Sequence, residues 1–298
     1  MDILKNVSII FMSIFFESLP FLLLGSFLSS IIETYVSNET IAKLIPKNKV
    51  LGSLAGVFLG FFLPACDCAV IPVSKRLLKK KVPVNVVVSS MLASPIINPV
   101  VLLSTYYAFY KTNSEIFWYR FMLGIVVALV IGIIMGIIFG NKEVVNDCED
   151  EECSCCHSHS SKNKILEVIK HTGIDLFDVV KYLMLGALIA SLVQTLLPRN
   201  ILSFFNESKA LSVIALMLFA YLISLCSTSD SFVGKSLLSS FSKVSIIAYL
   251  LIGPMIDIKN TFVLLGNYNK KFVLTLISLI FSIILIVSMV VSVAWKSF

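Results

Sequence analysis

Apolar runs of about 20 residues follow one another along most of this chain, and a run of that length is what a helix needs to cross the hydrocarbon core of a bilayer. Eight stretches qualify, at roughly 7 to 32, 50 to 66, 84 to 110, 121 to 140, 176 to 197, 210 to 229, 244 to 266 and 272 to 295. Backbone in lipid must satisfy its own hydrogen bonds, so such runs specify helices. The first carries Glu17 and Pro20 midway and exceeds a signal-peptide core, so it is expected to remain as a helix. Composition agrees: 57% of the 298 residues are hydrophobic, 14% are charged, and the mean hydropathy is +0.94. That leaves too little polar surface for a soluble globule of this size. The expected fold is an all-α, polytopic protein of the cell membrane with about eight transmembrane helices. The net charge of +6 comes from basic residues scattered between apolar runs, which gives nucleic acid no stripe to bind.

The two halves echo each other. Phe16-Glu17 and Leu24-Gly25 match Phe177-Asp178 and Leu185-Gly186 at an offset of 161, and Ser94-Pro95-Ile96-Ile97-Asn98 matches Gly253-Pro254-Met255-Ile256-Asp257 at an offset of 159. The same features in the same order point to duplication. The expected organisation is a first membrane repeat over 1–140, a polar linker over 141–164 and a second repeat over 165–298. Four spans per half would make the repeats parallel, and an odd number would invert them. The run Lys75, Arg76, Lys79, Lys80 and Lys81 should be cytoplasmic. With eight spans, both termini and the linker join it there, while Lys43, Lys47, Lys49, Lys259, Lys270 and Lys271 fall opposite.

Pro95 and Pro99 interrupt the third span, and Pro254 interrupts the seventh at the matching place. Helices broken at corresponding positions of two halves point to a transporter's binding site. Ser94, Asn98 and Asp257 lie at these breaks, where an ionisable group costs a few kcal/mol. A plain kink, with Asn98 or Lys259 bonding Asp257, is the structural alternative. A second group is Pro64-Ala65-Cys66-Asp67-Cys68, loosely matched by Cys226-Ser227-Thr228-Ser229-Asp230. Cys66, Cys68 and Cys226 could offer sulfur to a soft species, or be small buried residues, with Asp67 and Asp230 marking helix ends.

The linker gathers Cys148, Cys153, Cys155, Cys156, His157 and His159 among acidic residues. Cys153, Cys155, Cys156, His157 and His159 are candidate ligands for zinc or another late transition metal. The spacing is not that of a zinc finger, so a solvated tract with weak metal binding is the alternative. No cofactor is required. All three histidines lie in or beside the linker, and H-E-x-x-H and phosphate-loop motifs are missing, so enzyme chemistry has little support.

Leu63-Pro64-Ala65-Cys66-Asp67-Cys68, Ile71-Pro72, Pro83, Ala93-Ser94-Pro95-Ile96-Ile97-Asn98-Pro99, Ser104-Thr105-Tyr106-Tyr107, Leu225-Cys226-Ser227-Thr228-Ser229-Asp230 and Gly253-Pro254-Met255-Ile256-Asp257 together resemble the predicted permeases grouped with the organoarsenical efflux permeases. The resemblance spans nearly the whole chain outside the linker. It implies an eight-span inner-membrane permease, some of whose relatives export trivalent organoarsenicals, in a subgroup that works with a second small membrane protein. Ala69 stands where that family usually has Gly, which narrows backbone approach to a ligand. The expected function is export of a small solute or soft metalloid through a pathway between the repeats. Cys66, Cys68, Ser94, Asn98, Cys226, Asp230 and Asp257 are its candidate binding residues. The alternative is a sensor or assembly subunit of a metal-responsive membrane complex, with the linker as reader.

Overall fold

A computed structural model describes residues 2–35, 46, 48–62, 67–111, 113–140, 144–145, 164–196 and 209–296. Among these, twelve helices follow in order: α1 (Asp2–Tyr35), α2 (Lys49–Phe62), α3 (Asp67–Lys79), α4 (Val84–Ile97), α5 (Pro99–Phe109), α6 (Ser114–Ile138), α7 (Lys164–Leu196), α8 (Lys209–Ile223), α9 (Ser229–Leu237), α10 (Lys243–Met255), α11 (Ile258–Asn267) and α12 (Lys270–Lys296). The only β pairing among the described residues is a bridge between Val145 and Tyr268. The chain is an all-α polytopic membrane protein.

Each of the eight apolar runs contributes a helix among the described residues, and they differ in length. Six stretches are long and apolar enough to span: Ile3–Tyr35, Val84–Phe109, Ser114–Ile138, Val168–Leu196, Lys243–Asn267 and Lys270–Val293. The runs at 50 to 66 and 210 to 229 become helices of 14 and 15 residues. At 1.5 Å per residue these reach roughly 21–23 Å, short of the roughly 30 Å core. Each instead turns back. Gly52 lies against Asn85, and Gly60 against Ser90 and Ser94, so α2 runs parallel to α4. Ser74 reaches Met91, so α3 returns antiparallel to α4 toward the face from which α2 entered. In the second half Ser212 bonds Ser245 and the Phe219 ring meets Tyr249, making α8 parallel to α10. Asp230 and Gly234 then meet Gly253 and Leu250, so α9 runs back along α10.

These pairings fix the direction of each helix. α1 is antiparallel to α7, since Ile14 packs on Ala187 and Ala190 while Ser29 bonds Asp175. The α2–α3 hairpin therefore enters from one face and the α8–α9 hairpin from the other. Each half reads, in the same order, a long helix, a hairpin, a broken span and a long helix, but in opposite directions across the membrane. The described start of the linker, Val144 and Val145, stays beside the basic run, as expected. Val144 accepts from Asn269 at the start of α12, the end of the molecule that carries Lys75, Arg76, Lys79, Lys80 and Lys81. This basic face also holds Lys49, Lys270 and Lys271, which the eight-span count put opposite. α1 begins and α12 ends on the other face, so the described ends of the chain and the linker do not share a side.

Both broken spans stop three residues or fewer after their proline. α4 ends at Ile97, and Asn98 caps α5 by accepting from the Val100 N–H at 3.0 Å, with Pro99 in the first turn. α10 ends at Met255, and Asp257 caps α11 by accepting from the Asn260 N–H at 2.7 Å. The freed backbone ends are buried in protein, as membrane depth requires.

Small residues let the helices approach closely. A Cβ added to Gly56 of α2 would overlap the Val86 carbonyl oxygen of α4. Because backbone cannot yield as a side chain can, Gly56→Ala is expected to cost about 1–3 kcal/mol. A fall in the thermal unfolding midpoint of the detergent-solubilised protein checks this.

Candidate functional site

The start of α3 meets the turn between α8 and α9 inside the helix bundle. Asp67 opens α3, where the N-terminal end of a helix favours a negative charge. Its Oδ1 accepts from the Ser227 hydroxyl at 2.9 Å, at the tip of the opposite hairpin, and its Oδ2 accepts from the Asn260 amide at 3.1 Å. Asn260 belongs to the first turn of α11, so Asp67 joins three elements that enter from both faces. Cys68 stands beside it and directs its thiol to Asn260 Oδ1 at 3.6 Å.

Lys259, on α11, supplies the positive charge. Its ammonium lies 2.9 Å from Asp257 Oδ2 and 3.9 Å from Asp67 Oδ2, and donates to the Ser224 carbonyl at 3.3 Å. Asp257 is fully buried and Lys259 is 5% exposed. Two carboxylates thus share one ammonium, and the cluster carries a formal excess of one negative charge. Thr261 donates to the Asp257 carbonyl at 2.7 Å and bonds Tyr221 at 3.1 Å, tying α8 to the same place. A small, water-sized pocket opens beside the cluster, lined by Ile14, Glu17, Ser18 and Phe21 of α1 with Asp67, Cys68, Ser224, Cys226 and Lys259.

A second charged centre lies on the other side of the α9 tip. Arg120 of α6 is fully buried; it donates to Thr105 Oγ1 and Ser231 Oγ, each at 2.7 Å, and to the Ser227 carbonyl at 3.3 Å. Asp230, which accepts from the Tyr249 hydroxyl at 3.1 Å, is its electrostatic counterpart. The centres are reciprocal: each hairpin offers an Asp at the start of its returning helix, and each Asp faces a cation from the other half. Ser227 touches both, through its hydroxyl and its carbonyl.

A family model described as a predicted permease matches residues 3–293. The chain belongs to this ArsP_1 family of predicted permeases. A protein of Streptococcus mutans serotype c, named as a subunit of a two-component membrane permease complex, is 37% identical over 289 residues, covering 95% of this chain and 94% of its own. The UPF0718 protein YcgR of Bacillus subtilis strain 168 is 41% identical over 282 residues, covering 95% of each. No solved structure matches.

Set on this family member, the sequence candidates separate. Cys68 and Cys226 line one pocket, and Asp257 stands behind it, paired with Lys259. Asp230 belongs to the Arg120 centre. Asn98 spends its side-chain oxygen on the α5 cap, and Ser94 is buried in α4 against Gly60. Cys66, and the linker candidates Cys153, Cys155, Cys156, His157 and His159, lie outside the described residues. The candidate list lacked Asp67, Lys259, Asn260, Ser224, Ser227 and Arg120. Asp67 carried a usable signal, since it and Asp230 hold matching places in the two half-motifs. Arg120 carried another, as a guanidinium within a run otherwise apolar enough to span. Asn260, Ser224 and Ser227 carried none, because only tertiary folding brings them to the cluster.

Proposed function

We propose that the protein is a permease that carries a small solute or soft metalloid species between its two halves, past the Asp67–Lys259–Asp257 cluster. The halves act as inverted repeats about this point. The equivalent order of helices, run in opposite directions, supports that reading, as does the position of both breaks near the membrane centre. The observation that carries the proposal is the pocket itself: charged groups and thiols from both opposed hairpins and a broken span line a cavity at membrane depth, where such groups are costly unless they serve a purpose. A sealed core would have favoured the sensor alternative.

With the basic face in the cytoplasm, export is the direction we propose, to be read by the transport assay itself. A second small membrane protein fits this reading, because a relative is named as one subunit of a two-component permease complex. Transport rather than catalysis is the role that a small charged pocket lined from both halves supports.

Asp67→Asn tests the proposal. It keeps shape and the bond accepted from Asn260 while removing charge, with the Ser227 hydroxyl turning to accept from the new amide N–H. Transport at matched membrane abundance is expected to fall at least tenfold, whereas Cys68→Ser should impair only thiophilic solutes. Wild-type transport by Asp67→Asn would place the pathway elsewhere.

A further inference from the structure

We infer, on the transport reading just given, that the pathway has a second mouth on the basic face: the small cavity lined by Pro72, Lys75, Asp175, Asp178, Val179 and Asn267, held shut by the bridge from Arg76 to Glu33 and Asp175. The first observation is a correspondence of positions. The central pocket is lined on α1 by Ile14, Glu17 and Ser18, and the second cavity on α7 by Asp175, Asp178 and Val179. These are the same three positions at the offset of 161 that aligns Phe16-Glu17 with Phe177-Asp178. Since α1 and α7 run antiparallel, equivalent residues line cavities that open toward opposite faces.

The barrier between the cavities is thin. Cys68 lines one and Pro72 the other, a single turn apart on α3. What seals this turn is the seating of α1 and α7 on α3 and α11. A Cβ on Gly25 would lie 2.5 Å from the Ala69 carbonyl oxygen, and one on Gly186 would lie 2.8 Å from that of Lys259. On the other half of the membrane the equivalent surface is formed by α5 and α9, joined by bonds from Ser104 to the Thr228 carbonyl and between Thr105 and Ser231. Among the described residues, α1 and α7 do not pack extensively on that surface. The α1–α7 pair is therefore closed against the basic half and parted from the other.

Arg76 fastens the closed end. From α3 it bonds Glu33 of α1 at 2.7 Å and Asp175 of α7 at 2.6 and 3.1 Å, so one guanidinium clasps both members of the pair. Lys80 donates to the Glu33 carbonyl at 2.9 Å, and Lys75 to Asn267 Oδ1 at 3.1 Å across the cavity. Tilting the pair toward α5 and α9 would break this clasp, open the second cavity to the cluster and close the first.

The test reads both mouths at once. Ser18→Cys and Val179→Cys occupy equivalent positions, one in each cavity. Each is labelled with a membrane-impermeant maleimide, in vesicles of both orientations, with the site resolved by mass spectrometry. With Arg76 intact, Ser18→Cys should label readily from the face opposite the basic one and Val179→Cys slowly from the basic face. Arg76→Gln should raise Val179→Cys labelling several-fold and lower Ser18→Cys labelling. Arg76→Lys, which keeps the charge without the fork, should fall between. If Arg76→Gln does not insert, Glu33→Gln removes one arm of the clasp and takes its place. Labelling that rises at both sites, or changes at neither, overturns the inference. Solute movement with neither label responding would leave transport standing and remove the second mouth. A reciprocal shift in a protein that moves no solute would keep the mouth and remove the transport reading.

Discussion

Lys259→Met is expected to destabilise the folded protein by about 3–5 kcal/mol, the range for removing one partner of a buried ion pair. Lys259 is the cation within 4 Å of both Asp257 and Asp67, at 2.9 and 3.9 Å. Its loss leaves two buried carboxylates facing each other without compensation. Adding Asp257→Asn to Lys259→Met should recover a substantial part of that loss, because the amide can still cap α11 by accepting from the Asn260 N–H. Thermal unfolding of the two single variants and the double variant in detergent supplies the cycle, and a coupling near zero would show that the pair does not interact energetically. Transport should stay lost in all three, since none restores the charge pattern. Judged by residue type alone, Asp257→Asn keeps shape and removes only a charge. The 2.9 Å contact with Lys259 alters that: the substitution also strips the ammonium of its nearest counter-charge, so stability and transport should fall together.

Arg120→Leu is expected to be comparably severe. The guanidinium ties α6 to α5 through Thr105 and to the α9 tip through Ser231 and the Ser227 carbonyl, and it is the positive charge that faces Asp230. Removing it should cost about 3–5 kcal/mol and loosen the hairpin. Arg120→Lys keeps the charge, but a single ammonium cannot reproduce the fork that spans two hydroxyls and a carbonyl, so it should restore only part of the loss. Hydrogen exchange over residues 226–237 reads the hairpin directly. Unchanged protection there in Arg120→Leu would mean that the tip is held by other contacts.

Much of this architecture was legible because lipid imposes few solutions. The long helices α6 and α12 follow from uninterrupted apolar runs, and the broken spans from Pro95, Pro99 and Pro254. Caps at Asn98 and Asp257 are local chemistry, readable from residue type beside a break. The shorter runs α2 and α8 could not be told from full crossings, because an apolar run of 14 or 15 helical residues followed by more apolar sequence has the same hydropathy whether it crosses or turns back. What turns it is the contact of each returning helix with a broken span, a tertiary event. That ambiguity is what set Lys49, Lys270, Lys271 and the two ends of the chain opposite the sides on which the described helices place them, since each crossing reverses the side of everything after it, while Val144 and Val145 stay beside the basic run as expected. In the site, Cys68, Cys226 and Asp257 could be named from residue type, while Asn260 and Ser227 could not. An Asn on a helix or a Ser in a turn is ordinary until folding sets it beside a buried carboxylate.

The central claim is that solute passes the charged cluster where the hairpins meet. The most direct measurement is an export assay in a hypersensitive host, comparing arsenite, methylarsenite and zinc, with the wild-type chain, Asp67→Asn and Lys259→Met at matched membrane abundance. The wild-type chain should protect against at least one of the three, and both variants should lose that protection. Protection by the variants equal to wild type, or protection by none of the proteins against any of the three, would contradict the account.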